Sequence, residues 1–396
     1  MTLKHASIVP LIGGETIGQM QAFGTRPDYL LSYSPFQNND AHLVNYLKDV
    51  PYILLDKGGK HPHYVDVVNA VCPCAGLSSL SPSANSDASA NDWMINTAKY
   101  VLEEMKPKVF WGENAPRFAG EMGKPIVAKL MEIARANGYV MSIYRTKSLL
   151  HGLAQVRERS FYFFWQGNTV PRFNFFDRPM KSIEETLRGV NKNATLNDVT
   201  NPKIPSKDDP FYRYVLEVMH GGITHQDFVK LIPKTVDVMS YIEDSGRSYK
   251  DVKIWMDNNG LSKHAKKLNE VQDKLDAGGN IMRRASLIGK GKIGAFVGHL
   301  PMSLVHPDED RYITYREALT IMGLPDDFEL LEPKKNLNHV CQNVPVTTAR
   351  DMAEEIKAVL NGQRDSIPAE LVYQYNTNRT FMIDGVNAKS TRGMPV

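Results

Sequence analysis

The sequence is poor in cysteine and has no long apolar run. Three cysteines in 396 residues cannot build a disulfide framework, which points to a reducing, cytoplasmic setting. Cys72 and Cys74 lie too close in sequence for an ordinary structural bridge. There is no CxxC pair and no histidine cluster at metal-ligand spacing, so no metal is expected. No stretch approaches the ~20 apolar residues that span a bilayer, and the first residues lack a secretory pattern, so no membrane association is expected. An excess of one charge is also missing: 47 Lys and Arg against 44 Asp and Glu leave +3. That balance admits nucleic acid as a partner without arguing for it, because a strong binder concentrates its basic residues. Internal repeats are absent.

What is present is a globular composition, 42% hydrophobic, enough for a sizeable core in a chain long enough for two domains. Residues 1–172 alternate short apolar runs with helical patterns, which predicts a parallel α/β sheet. Strands are expected at 6–12, 29–32, 52–56, 64–71, 109–114, 139–144 and 160–165. Helices are expected at 16–23, around Met94 to Met105, and from Pro125 to Asn137-Gly138. Between 77 and 91 runs a Ser-, Ala- and Asn-rich loop that should be mobile. From about 171 to 308 the alternation stops, and 261–277 is the clearest helix there. Regularity returns at Arg311, with helices at 315–322 and 347–360. The polar tail from Asn376 should be loosely held.

Three polar sets follow apolar strands. Pro73-Cys74 puts a thiol at the carboxyl end of a strand, where open α/β sheets place their chemistry. Glu113-Asn114 ends the strand at 109–114. Gln155-Val156-Arg157-Glu158-Arg159 precedes the strand at 160–165. Each has a bland explanation: free cysteines are mostly small buried hydrophobes, Glu113 suits a helix cap, and the arginines suit a solvated strand face. Together, a nucleophile, a carboxyl group and two guanidinium groups suit attack on an electron-poor ring.

These sets, in this order, resemble the cytosine-5 DNA methyltransferase family. Pro73-Cys74 matches its Pro-Cys loop, Glu113-Asn114-Ala115 its Glu-Asn-Val element, and Gln155-x-Arg157-x-Arg159 its Gln-x-Arg-x-Arg element. His306-Pro307, the stretch Arg311 to Ala318, and Gly323-Leu324-Pro325-Asp326-Asp327-Phe328 match the return to the catalytic domain. The resemblance covers nearly all of the chain except 171–305. It implies a doubly wound, Rossmann-like α/β catalytic domain in two parts, 1–172 and 309–396, with a smaller target-recognition domain at 173–308. Cys74 would add as thiolate to cytosine C6, favoured by nearby arginines. Glu113 would hold the protonated N3 edge. Arg159 would bind the O2 side, and Arg157 would hold the catalytic loop or nucleotide. Asn114, Gln155 and Ser78 would line the substrate site of a flipped base, and Arg283 and Arg284 would contact DNA. Cys72 should point into the sheet, and His306 and the Pro325-Asp326-Asp327 turn should be structural.

The donor elements depart from the family. Its Phe-x-Gly-x-Gly-Gly turn appears as Val9-Pro10-Leu11-Ile12-Gly13-Gly14, without the Phe and the first Gly. The acidic residue after the second strand is Ser32, which lacks the charge-assisted strength of a carboxylate. Asp56 fits the adenine-amine position, and Pro73 the backbone position beside the nucleophile. The late Gly-Asn-Ala-Val-Pro element is Cys341-Gln342-Asn343-Val344-Pro345. Gly13, Gly14, Ser32, Asp56, Pro73, Gln342 and Asn343 are therefore the expected S-adenosylmethionine contacts. A modified sulfonium donor is an alternative, because the changes cluster on one ligand. A non-catalytic DNA-binding homologue is another, disfavoured by retention of Cys74, Glu113 and both arginines. One branch of the family modifies tRNA and carries a Cys-Phe-Thr signature in the target domain. No cysteine lies between Cys74 and Cys341, so DNA is favoured. The expectation is a monomer in a bacterial or phage-infected cytoplasm.

Overall fold

The apolar runs of the N-terminal part become strands of one sheet. The computed structural model of the protein describes residues 2–39, 41–72, 76–77, 85, 89–199, 201–281, 283, 285–296, 303–332, 339–377, 380–383 and 386–389. In chain order the large sheet and its helices begin β1 (His5–Ile8), α1 (Gly14–Phe23), β2 (Tyr29–Ser32), β3 (Tyr52–Leu54), β4 (Val67–Ala70), α2 (Asp92–Tyr100) and β5 (Val109–Asn114). These five strands pair in parallel in the order β5-β4-β1-β2-β3. β1, β2, β4 and β5 are buried at every position, as strands covered on both faces must be. One face packs Leu102, Phe110, Leu130 and Phe164 under the helical side that includes α2. The other packs Trp111, Phe163, Phe173 and Met352, with Phe23 of α1 among them.

The sheet is mixed rather than all-parallel. After α3 (Lys124–Ala136) come β6 (Tyr139–Lys147), the two-residue β7 (Gln155–Val156) and β8 (Glu158–Gln166). β8 runs antiparallel to both β5 and β6. The link between β6 and β8 is too short for the crossover a parallel pair requires. Leu371–Thr377 then adds in parallel to β6, and Thr380–Ile383 and Val386–Lys389 continue the edge antiparallel, completing ten strands. The described part of the tail expected to be loose, as far as Lys389, is therefore strand. Its polar composition has a use: Gln374 exchanges hydrogen bonds with the backbone of Phe173, and Asn376 donates to the Phe176 carbonyl. Most of the loop expected at 77–91 lies outside the described residues.

The chain divides into two units, 1–180 with 322–396, and 181–321. Packing explains why these limits differ from 172 and 308: Phe173 and Phe176 belong to the large unit's core, and Tyr312 to the small unit's. In the small unit Tyr212, Phe228, Ile242, Tyr249 and Met256 form a core of short helices beside a three-stranded sheet. The helix expected at 261–277 is two, Ser262–Ala265 and Leu268–Asp276. The break at Lys266-Lys267 lets both Ala265 and Leu268 reach that core. No described helix is long and apolar enough to cross a membrane.

Candidate active site

The antiparallel ladder sets Glu113 opposite Phe161 and Asn114 opposite Ser160. Arg159, one residue before that pairing, is thereby carried to the end of β5. Its Nε forms an ion pair with Glu113 Oε1, at 16% and 4% side-chain exposure. Opposite charges so little exposed stay charged only when paired. Arg159 also donates to the Glu158 carbonyl at 2.7 Å. Arg157 is buried, and its carbonyl accepts from the Ser148 amide at 2.9 Å. Gln155 is buried and donates to Met322 Sδ at 3.5 Å. Asn114 turns back on its own chain, accepting from the Ala115 amide at 2.8 Å and donating to Met94 Sδ at 3.6 Å. Pro73, Cys74 and Ser78 lie outside the described residues. Cys72 is buried with Sγ 3.9 Å from the Trp93 carbonyl, and burial pushes its thiol up to about 12.

The turn between β1 and α1 keeps a glycine-like backbone without all its glycines. Val9 and Leu11 sit at φ 48° and 53°, where a side chain costs about 1–2 kcal/mol each. Leu11 stands where the family pattern has its first glycine. Gly13 caps α1 at φ 91°. A Cβ on Gly14 would collide with the Val344 carbonyl and the Asn343 carboxamide. The Gly14 amide donates to Asn343 Oδ1 at 2.9 Å, while Asn343 Nδ2 is buried without a hydrogen-bond partner. Asn343 thus reaches the glycine turn, and Gln342 beside it is exposed. Ser32 is buried at the end of β2. Asp56 is exposed and accepts from the Ser34 amide at 2.9 Å, which lowers its pKa. Trp93 packs on Tyr33 and Phe36, with ring centroids 4.9 and 5.1 Å apart. Sequence reasoning missed that aromatic group. It also missed Glu15, a fully buried carboxyl in the first turn of α1. An acidic residue there reads as a partner of the helix dipole, which hides it.

In the small unit Arg283 is committed to Glu243 through two bonds of 3.0 and 2.6 Å, so it is not a free cation. Arg284 lies outside the described residues. His306 accepts from the Asp308 amide at 3.1 Å. In the large unit Asn45 donates to the Asp327 carbonyl at 2.7 Å. Both serve local structure.

Residues 46–358 match the family model of C-5 cytosine-specific DNA methylases. Over 368 residues the chain is 21% identical to the type II methyltransferase M.AgeI of Thalassovita gelatinovora, covering 76% of this chain and 85% of that one. Among solved structures, a prophage-encoded E. coli protein assigned as a DNA modification methyltransferase superposes with TM-score 0.55 at 17% identity, over 91% of this chain and 99% of its own. The Entamoeba histolytica methyltransferase EhMeth gives TM-score 0.51 at 13% identity, with the same coverage. At such identities the two structures speak for the fold alone.

Proposed function

Because the chain belongs to the C-5 cytosine-specific DNA methylase family, a family of S-adenosylmethionine-dependent enzymes, we propose that it modifies C5 of a flipped cytosine in DNA with Cys74 as nucleophile. The Cys74 thiolate adds to C6. Glu113 holds a proton at N3, so negative charge does not build on the ring. Arg159 receives the O2 edge, and Arg157 steadies the loop or the nucleotide. Asn114, Gln155 and Ser78 line the base, and Arg284 meets the DNA, which Arg283 joins only by leaving Glu243. C5 then takes the methyl group, its proton leaves, and Cys74 departs.

The observation that carries this reading is the Glu113–Arg159 pair. A carboxylate and a guanidinium held together at the ends of β5 and β8 match the proton-demanding N3 and the acceptor O2 of one cytosine edge. The donor elements fit an adenosyl ligand. The unpartnered Asn343 Nδ2 supplies a buried donor at the glycine turn, the Tyr33, Phe36 and Trp93 rings supply apolar faces, and Asp56 supplies an acceptor. Gly13, Gly14, Ser32, Asp56, Pro73, Gln342 and Asn343 would hold S-adenosylmethionine, whose sulfonium offers an electrophilic methyl carbon. Uncharged Ser32 and left-handed Leu11 favour a second reading, a modified sulfonium donor.

Nucleoside mass spectrometry on DNA and RNA from cells expressing the protein, beside Cys74→Ala, tests both. The expected result is methylated deoxycytidine that vanishes in the variant. A heavier deoxycytidine adduct supports the second donor. A modified ribonucleoside, or no Cys74-dependent nucleoside at all, overturns the assignment.

A further inference from the structure

Glu15 ends a buried chain of hydrogen bonds whose direction is fixed residue by residue. His5 Nε2 lies 3.0 Å from the Thr25 carbonyl, so that nitrogen donates and Nδ1 accepts. Gln19 Nε2 donates to His5 Nδ1 at 2.8 Å, and Gln19 Oε1 accepts from Trp111 Nε1 at 2.6 Å. Asn69 Oδ1 accepts from Ser7 Oγ and, at 3.5 Å, from Gln19 Nε2, and Thr16 Oγ1 donates to Ser7 Oγ at 2.9 Å. With its oxygen so used, Asn69 turns its amide to Glu15 Oε1 at 3.0 Å. Every link has a donor and an acceptor except the last atom. Glu15 Oε2 is buried with no hydrogen-bond partner.

Among the described residues, the charged and titratable groups that face Glu15 are Glu113 from β5, Cys72 after β4 and Tyr162 from β8. Burial pushes the Glu15 carboxyl well above its ordinary range; the Asn69 amide opposes this and the Glu113 carboxylate adds to it. With no exposed surface and a single amide as its hydrogen-bond partner, the carboxyl is held toward its neutral acid form. Its unpartnered oxygen is the free place for that proton, and it lies in the field of the Glu113 carboxylate, which is itself paired with Arg159.

We propose that Glu15 holds in the core the proton that Glu113 delivers to cytosine N3. The proposal rests on the roles of Cys74 and Glu113 given above. As the Cys74 sulfur bonds to C6, the electron pair of the C5=C6 bond becomes part of an enamine. N3 takes a proton from Glu113, which takes one from Glu15. When C5 has used that pair to take the methyl group, its proton leaves to water, the C6–S bond breaks and C5=C6 re-forms. The N3 proton then returns through Glu113 to Glu15. No proton is gained or lost by the pair over a cycle. Glu15 is a positioning residue, acting through Glu113.

Glu15→Gln tests this, because a glutamine still accepts from Asn69 and is neutral but carries no transferable proton. In the full-length protein, with S-adenosylmethionine and DNA from a host without cytosine methylation, kcat is expected to fall by about 100-fold, the lower end of the range for a positioned proton carrier. The wild-type kcat is expected to stay flat through neutral pH. In the variant it falls as pH rises, because Glu113 must then draw its proton from solvent, and KM for the donor stays put. A variant that matches the wild type in kcat and pH profile overturns the proposal. Infrared spectroscopy of the wild type adds a reading that survives a misfolded variant: the carbonyl band of a protonated carboxylic acid is expected at neutral pH, and its absence also overturns the proposal. Failure of the underlying assignment looks different, since the wild type itself then forms no methylated deoxycytidine.

Discussion

At the scale of single residues, partners far apart in sequence matter most. Asn343 reaches the amide of Gly14 across 329 positions. Asn343→Ala leaves that buried amide without an acceptor, and a loss of about 1–3 kcal/mol in urea unfolding is expected. The thiols offer a second check. Burial pushes Cys72 up to about 12 and Cys341 up to about 11. Both stay protonated at neutral pH, and the thiolate is the reactive form. Peptide mapping after iodoacetamide treatment of the folded protein should find both unmodified; fast labelling of either contradicts their burial. Glu113 and Arg159 were legible as site candidates because each stands beside an apolar strand in a short motif. Asn343 was legible only as a departure from a motif, and Glu15 not at all. The hydrogen bond from Asn69 and the field of Glu113 give Glu15 its meaning, and neither neighbour is marked in the local sequence.

At the scale of elements, the strands of residues 1–172 and the long helices followed from apolar periodicity, whereas the C-terminal strands, the directions and the junctions did not. The antiparallel course of β8 is set by a short link, which sequence patterning does not encode. The register it creates is what brings Arg159 to Glu113. The Val346–Leu360 helix is pinned to the segment between β6 and β8 in a similarly hidden way. Asp351, fully buried, accepts from His151 Nδ1 at 2.8 Å and from Arg178 at 2.9 Å twice. Burial alone would raise the Asp351 pKa, but the hydrogen bonds and charges of His151 and Arg178 bring it below the ordinary value. A carboxylate depressed in the folded state stabilises at neutral pH and loses that contribution as pH falls below about 4, the ordinary aspartate value. Asp351→Asn is expected to cost about 3–5 kcal/mol at neutral pH, as breaking a buried pair does. The gap to the wild type should narrow on acidification. Denaturant titrations across pH check this, and a gap that stays constant into acid rejects the ionised pair as its source.

At the scale of the whole chain, two separate cores imply two thresholds for unfolding. Leu102 lies in a core cluster of the large unit and Met256 in that of the small unit, both fully buried. Truncating either to alanine removes about 2–5 kcal/mol, and about 2–4 °C of melting temperature goes with each kcal/mol in units of roughly this size. If the units unfold independently, calorimetry resolves two transitions: Leu102→Ala lowers one and Met256→Ala the other. Donor binding sharpens the test. Gly13, Gly14, Ser32, Asp56 and Asn343 all belong to the large unit, and a ligand that binds only the folded form raises the melting temperature of what it binds. S-adenosylmethionine should therefore raise the transition that Leu102→Ala lowers and leave the other where it is. A single transition shifted by both substitutions makes the chain one cooperative body. A ligand shift confined to the Met256→Ala transition moves the donor site out of the large unit.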